Sequence, residues 1–106
     1  MNAPKGRGTD GAGDGESIVA ARVVVANSVG LHARPAVKLT KLAKQFHAEI
    51  RVRPESEAGW ISAKSVNAVM RMKLKGGEAI LLEASGSDAC AAIGALVGLV
   101  ERNFDE

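Results

Sequence analysis

The chain has little of several residue types on which whole classes of protein depend. Cysteine occurs once, as Cys90, which excludes an internal disulfide and any cysteine-based metal site built within one chain. The sequence has one Trp, two Phe and no Tyr, so the core must be built from Val, Ile, Leu, Ala and Met. No apolar run approaches the roughly 20 residues that span a bilayer, and the N-terminus lacks the apolar region of a secretory signal. With 106 residues, these absences predict one cytoplasmic domain without membrane insertion.

An excess of charge of one sign is also missing. The formal net charge is +2, which is too small to indicate a nucleic-acid-binding protein. Residues 1–16 are rich in glycine and poor in apolar residues, so they cannot bury enough surface to offset the entropy lost on ordering. We therefore predict a disordered Gly-rich tail over 1–16 and one folded domain over 17–106.

Two periodicities alternate along the rest of the chain. Stretches that are β-branched or alternate between apolar and polar residues predict strands at 18–26, 49–53, 60–62 and 78–84. Apolar residues three and four apart predict helices at 33–46 and 65–72 and a third helix after an N-cap at Ser87. Pro35 fits only the first turn of a helix, which fixes the start of the first helix near His32.

The resulting order, β-α-β-β-α-β-α, predicts an α/β (α+β) fold. We expect an open-faced β-sandwich in which a four-stranded, mainly antiparallel sheet carries three helices on one face. Strand 78–84 has an apolar middle and is expected in the centre of the sheet.

The residues with the most chemical content lie just before and at the start of the first helix, in the sequence Gly30-Leu31-His32-Ala33-Arg34-Pro35-Ala36. The glycine turn delivers His32 to a helix start, where backbone N–H groups have no intrahelical partner and the dipole favours anions. Arg34 adds a permanent charge with donors suited to phosphate oxygens, and imidazole is a nucleophile near neutral pH. These residues alone support a phosphoryl site and a plain capped helix about equally.

The same residues, GLHARPA, resemble the active-site motif of the HPr family, the histidine phosphocarriers of bacterial phosphoenolpyruvate-dependent phosphotransferase systems (PTS). A second family-like motif follows at Ser62-Ala63-Lys64-Ser65. The resemblance runs from about Arg22 to the C-terminus, with one small insertion near Glu55–Ala58, and it includes the predicted order of elements.

The resemblance implies a phosphoryl relay with no metal and no cofactor. His32 would be phosphorylated on Nδ1 by enzyme I and would pass the group to an enzyme IIA-type domain, while Arg34 and the helix N-terminus at Ala33 contact it. The chain would be a monomeric carrier, not an enzyme. The PTS branch stays open between sugar transport, the nitrogen-related system and the system that feeds dihydroxyacetone kinase.

Ser65 matches the serine that HPr kinase/phosphorylase modifies in part of the family. A serine at this place also suits a helix N-cap, and the two roles are compatible. An alternative function is therefore a regulatory binding protein of the same fold that acts through its Ser65 face. A small autonomous enzyme is the weakest reading, because no second catalytic group accompanies His32.

A docking surface for acidic partners is predicted beside His32. On the first helix, lysines follow Arg34 at i+4 and i+7 and so share one face, although a solvated helix face is the plain alternative. The surface combines basic and apolar residues: Lys38, Lys41, Lys64, Val66 and Met70. Asn67 stands where family members often have a large apolar residue, which favours a specialised PTS branch.

Overall fold

Seven regular elements follow one another in the computed structural model, which describes residues 18–26 and 30–106. They are β1 (Ile18–Val24), α1 (Ala33–Ala43), β2 (Glu49–Pro54), β3 (Ile61–Ser62), α2 (Val66–Arg71), β4 (Ala79–Ser85) and α3 (Ala89–Glu101), and a short 3-10 turn at Asn103–Asp105 follows α3. The predicted order of elements is confirmed. The predicted tail over 1–16 and the turn residues 27–29 lie outside the described residues.

The four strands form one antiparallel sheet in the order β1-β4-β2-β3. The central position predicted for β4 is confirmed, since β4 pairs with β1 on one side and β2 on the other. Successive residues of a strand point to opposite faces of the sheet. On β1, Val23 is buried beneath the helices while Arg22 and Val24 are exposed on the other face, as their alternation predicts.

The helices cover one face of the sheet, and the core between the two layers is mostly aliphatic. The largest side chains that are fully buried there include Leu39, Ile50, Ile80, Leu82, Leu96 and Phe104. Trp60 lies on the opposite face of the sheet, where the guanidinium carbons of Arg51 and Arg53 stand 5.1 and 4.9 Å from its ring centroid. In the described part of the chain, no helix is long and apolar enough to cross a membrane.

The first helix is shorter than its apolar period predicts. It ends at Ala43 instead of Phe46, because the chain tightens into i→i+3 hydrogen bonds, such as that from the Phe46 N–H to the Ala43 carbonyl (3.2 Å). The Lys64 ammonium then donates to the Phe46 carbonyl over 2.7 Å. A side chain distant in sequence thus fixes the carbonyl that follows α1.

The N-cap prediction at the last helix is wrong. Asp88, not Ser87, is the N-cap of α3, and its side chain makes no cap hydrogen bond. Its carboxylate instead accepts the backbone N–H groups of His47 (2.8 Å) and Ala48 (2.7 Å). A tertiary hydrogen-bond pair therefore competes with the local capping preference and fixes the link between α1 and β2.

Candidate functional site

Gly30 shapes the turn that leads into α1. Its φ is +80°, and a Cβ added there would lie 2.2 Å from the Leu74 carbonyl oxygen. The same carbonyl accepts the N–H of Leu31 over 3.0 Å, and the Leu31 side chain is buried. The segment before α1 is therefore anchored to the loop after α2. Only glycine fits at position 30, where these two segments approach each other most closely.

His32 is the N-cap of α1. Its backbone is extended (φ −102°, ψ −166°), its side chain makes no cap hydrogen bond, and its carbonyl accepts the Ala36 N–H over 3.0 Å. The N–H groups of Ala33 and Arg34 come before the first intrahelical bond, and the first turn holds no acidic residue. An exposed imidazole thus stands at the positive end of an 11-residue helix, where backbone donors and the helix dipole favour an anion.

Arg34 extends from the first turn of α1 into solvent, with a side chain 77% exposed, and its Nε lies 3.6 Å from the Glu106 Oε1. Lys38, one turn further along α1, donates hydrogen bonds to the Glu106 carboxylate and to the Phe104 carbonyl (2.8 Å). One carboxylate thus lies between two cations on the face of α1 that begins at His32. The ammonium of Lys38, which is predicted to contact docking partners, therefore already makes hydrogen bonds within the chain.

The positive charges around Glu106 lower the pKa of its carboxyl group. The hydrogen bond from the Lys38 ammonium holds the pKa of the Glu106 carboxyl below its ordinary value. The charge of Arg34 lowers it further, and so does His32 when its imidazole is protonated, while partial burial opposes them. Glu106 is therefore an anion at neutral pH.

The turn that presents Glu106 has an uncommon backbone. Asn103, Phe104 and Asp105 have φ values of 60°, 59° and 57°, in the left-handed region that costs an L-residue roughly 1–2 kcal/mol. Burial of the Phe104 side chain, which is 0% exposed, offsets part of this cost. The ion pair between Arg102 and Asp105 (2.9 Å) also stabilises it.

The second motif opens α2, as its sequence predicts. Ser65 is the N-cap, and its Oγ accepts the N–H of Ala68 over 3.2 Å. Lys64, the preceding residue, has its ammonium bound to the carbonyl that follows α1. The capping role of Ser65 is confirmed, and the hydroxyl is half-buried at the point where α2 meets solvent.

The apolar residues of α2 differ in how far they are buried. Val69 is fully buried, Val66 is partly buried, and Met70 is 40% exposed. Among the basic residues predicted for docking, Lys41 is the exposed one, while Lys38 and Lys64 are half-buried and hydrogen-bonded.

Sequence reasoning missed Glu106, the acidic residue that pairs with Arg34 and Lys38. It lies 68 residues after Lys38, in a stretch without periodicity. The one available signal is Phe104, a large apolar residue beyond the last helix, which indicates that the chain packs back onto the core.

Comparison with known proteins places this geometry among relatives. The family model described as the PTS HPr component phosphorylation site matches residues 19–102. Phosphocarrier protein NPr of Shewanella violacea is 43% identical over 86 residues, covering 80% of this chain and 91% of the relative. Phosphocarrier protein NPr of Proteus mirabilis is 40% identical over 85 residues, covering 80% and 93%. The crystal structure of HPr-C-His from Thermoanaerobacter tengcongensis has a TM-score of 0.76 and 34% identity, covering 83% of this chain and 97% of that one.

Proposed function

This chain belongs to the HPr family of PTS phosphocarrier proteins, and on that premise we propose that His32 carries its phosphoryl group. The observation that supports this most directly is the position of His32: an exposed imidazole at the start of α1, next to free backbone donors and Arg34. The group would sit on Nδ1. The backbone N–H groups of Ala33 and Arg34 and the Arg34 guanidinium would contact its oxygens.

The relay that we propose takes the phosphoryl group from a histidine of enzyme I and delivers it to a histidine of an enzyme IIA-type domain. In each step the imidazole nitrogen of the acceptor attacks phosphorus and the P–N bond to the donor imidazole breaks. Because such transfers need positioning and charge stabilisation, the fixed backbone at Gly30 and Leu31 suits the task. The carrier would act in the cytoplasm, where its soluble partners meet it as a monomer.

The branch we favour is the nitrogen-related PTS. Both relatives with the higher identities are phosphocarrier proteins NPr, and Asn67, exposed on α2, departs from the large apolar residue often found there in the family. Phosphorylation by a nitrogen-type enzyme I, compared with a sugar-type enzyme I at equal concentrations, tests the branch. Faster phosphorylation by the sugar-type enzyme would contradict it.

The assignment of His32 is tested by incubating the protein with enzyme I and phosphoenolpyruvate and then measuring its mass under alkaline conditions, which preserve phosphohistidine. The parent should gain one phosphoryl group and His32→Ala none. His47→Ala is the matched control, because His47 is exposed in the link between α1 and β2, and it should gain as much as the parent. A full yield in His32→Ala would exclude His32 as the acceptor.

For the docking surface, we propose that Lys41 supplies the charge that steers acidic partners, with Val66 and Met70 as apolar contacts. Lys38 and Lys64 contribute their positive charge but hold intramolecular hydrogen bonds. Because exposed charges act mainly on encounter rate, Lys41→Glu should slow transfer from enzyme I at low salt and weaken its salt dependence. Transfer at the parental rate in low salt would show that Lys41 only lies on a solvated face.

Ser65 supports a second, regulatory proposal. Its hydroxyl is half-buried at the edge of the same surface, so a phosphate on Ser65 from an HPr kinase/phosphorylase would add negative charge where acidic partners dock. The regulatory binding protein that acts through this face remains the alternative function, and it predicts partner binding that is unchanged in His32→Ala.

A further inference from the structure

A row of three exposed cations follows the second helix. Arg71 is the last residue of α2, and Lys73 and Lys75 lie in the segment that leads to β4. They alternate with Met72, which is half-buried, and Leu74, which is buried, so the three charges point away from the core. Among the described residues, no ion pair includes any of them. This cationic row is therefore available to negative charge from outside the chain.

The cationic row lies beside the turn that presents His32. The Leu74 carbonyl accepts the N–H of Leu31 over 3.0 Å, and a Cβ on Gly30 would lie 2.8 Å from the Lys75 Cα. Because position 30 meets 75 and position 31 meets 74, the two segments run antiparallel, and the row continues toward His32. A protein that docks at His32 would thus also meet the row.

Lys73 has a backbone conformation that favours glycine. It follows Met72, the C-cap of α2, and its φ is +51°. Helices commonly end with glycine in this left-handed region, because glycine has no Cβ, and any other L-residue lowers the stability of the fold there. Strained positions of this kind are concentrated at functional sites, which indicates a role for the Lys73 side chain beyond the fold.

The docking residues predicted from the sequence supply little free positive charge. The ammonium groups of Lys38 and Lys64 donate to backbone carbonyls within the chain, which leaves Lys41 as the exposed lysine of that set. The cationic row adds three exposed charges to this one. Because clustered charges of one sign speed the encounter with an oppositely charged protein, the row supplies most of the attraction for an acidic partner.

We propose that Lys73 is a specificity-determining residue: flanked by Arg71 and Lys75, it selects a phosphoryl donor protein that presents carboxylates opposite this row. The inference rests on the proposed function for the identity of that donor as an enzyme I. The row acts on association and takes no part in the transfer step at His32. The left-handed backbone at position 73 is the loss of stability that accompanies a cation at this place.

The first test separates docking from folding. Lys73→Gly removes the charge and relieves the backbone, so its Tm should exceed that of the parent. Its half-saturation for phosphorylation by enzyme I should nevertheless rise by about two- to fivefold at an unchanged plateau. Lys73→Arg should restore the half-saturation and lose the gain in Tm. A parental half-saturation in Lys73→Gly, or a Tm below that of the parent, would overturn the inference.

Lys44→Gln is the matched control for net charge. Lys44 is exposed at the C-cap of α1, at the opposite end of that helix from His32, so its loss should leave the half-saturation unchanged. When nitrogen-type and sugar-type enzymes I are compared, Lys73→Gly should lose more efficiency with the donor that the parent prefers. Equal losses with both donors, or an equal loss in Lys44→Gln, would mean that Lys73 adds only general positive charge and would overturn the inference.

Binding measured without transfer distinguishes failure of this inference from failure of the proposed function. In His32→Ala, NMR follows the backbone amides of 71–75 as enzyme I is added, and these amides should shift. Absence of a shift would overturn the inference whatever the transfer assay shows, and so would a shift caused by a single-stranded oligonucleotide at lower concentration than enzyme I. If the amides shift although enzyme I does not phosphorylate the parent, the proposed function fails and the docking role of the row stands.

Discussion

Replacement of Gly30 by alanine is expected to cost more stability than the same substitution at Gly77, the glycine of another turn with positive φ. Alanine at φ +80° is strained by roughly 1–2 kcal/mol. The new Cβ would lie 2.2 Å from the Leu74 carbonyl oxygen, so the backbone must move, at roughly 1–3 kcal/mol for an overpacked site. That movement breaks the hydrogen bond from Leu31 to the same carbonyl, worth about 1 kcal/mol. The sum is roughly 3–6 kcal/mol, a large share of the 5–15 kcal/mol that stabilises a typical domain.

Gly77 provides a matched control. Its φ is +90°, but a Cβ there would meet nothing within 4 Å, so Gly77→Ala isolates the conformational strain of roughly 1–2 kcal/mol. Urea unfolding of the three proteins, followed by circular dichroism, gives both differences. Gly30→Ala should lose at least about 2 kcal/mol more than Gly77→Ala. Equal losses would refute the close approach to Leu74 as the reason that position 30 needs glycine.

Three further predictions concern single sites. Gly94→Ala should raise the Tm, because the position is inside α3, has open space for a Cβ, and glycine there costs about 1 kcal/mol; a lower Tm would contradict this. Asp88→Asn should destabilise the protein at pH 7 and progressively less as the pH falls below the ordinary Asp pKa of 3.8. The backbone N–H groups of His47 and Ala48 lower the pKa of Asp88 in the folded protein, so the stabilisation by this carboxylate is fully present above pH 3.8 and is lost as the pH falls through the lower folded-state pKa. Equal losses of unfolding free energy at pH 7 and pH 3 would exclude stabilisation by the ionised Asp88 carboxylate. Ser65→Asp should fold normally, since Asp also caps helices, but raise the half-saturation for transfer from enzyme I at an unchanged plateau; parental kinetics would leave Ser65 as a cap alone.

Local signals predicted the parts of the site that depend on neighbours in sequence. Pro35 fits only a first helical turn, and α1 accordingly starts at Ala33 with His32 as N-cap. Ser65 caps α2 through a hydrogen bond to the N–H of Ala68, only three residues later in the sequence. Alternation on β2 placed Ile50 and Val52 in the core, where both are buried. Such features are fixed by steric and hydrogen-bonding preferences within a few residues, so the sequence is sufficient to find them.

The contacts that escaped prediction join residues far apart. Asp88 binds backbone groups 41 and 40 residues earlier, and this tertiary pair outweighed the preference for Ser87 as a cap. Glu106 reaches Lys38 across 68 residues, through a left-handed turn that no helix or strand period describes. Spacing on one helix correctly placed Arg34 and Lys38 on a shared face, but it could not show which acidic group would meet them there.

Long-range contacts fix both ends and the middle of α1 to different parts of the fold. Before its first turn, Leu31 donates to the Leu74 carbonyl; at its middle, Lys38 donates to the Phe104 carbonyl; and after its last turn, the Phe46 carbonyl accepts from Lys64. One contact joins two backbone groups and the other two use the half-buried side chains of Lys38 and Lys64. None of the three uses the exposed side chains of Arg34 or Lys41.

The basic residues on this face of α1 therefore differ in how much they contribute to the stability of the fold. Charge reversal at Lys38 removes a contact to the Phe104 backbone as well as the partner of Glu106, so its effect would mix stability with transfer. Arg34 and Lys41 are exposed and contribute little to the anchoring of α1. Because in-line transfer depends on a fixed position for the nucleophile, we expect substitutions at these two residues to change transfer rates while the unfolding free energy stays nearly constant. A parallel loss of stability in Lys41→Glu would mean that this face supports the fold and not the encounter with partners.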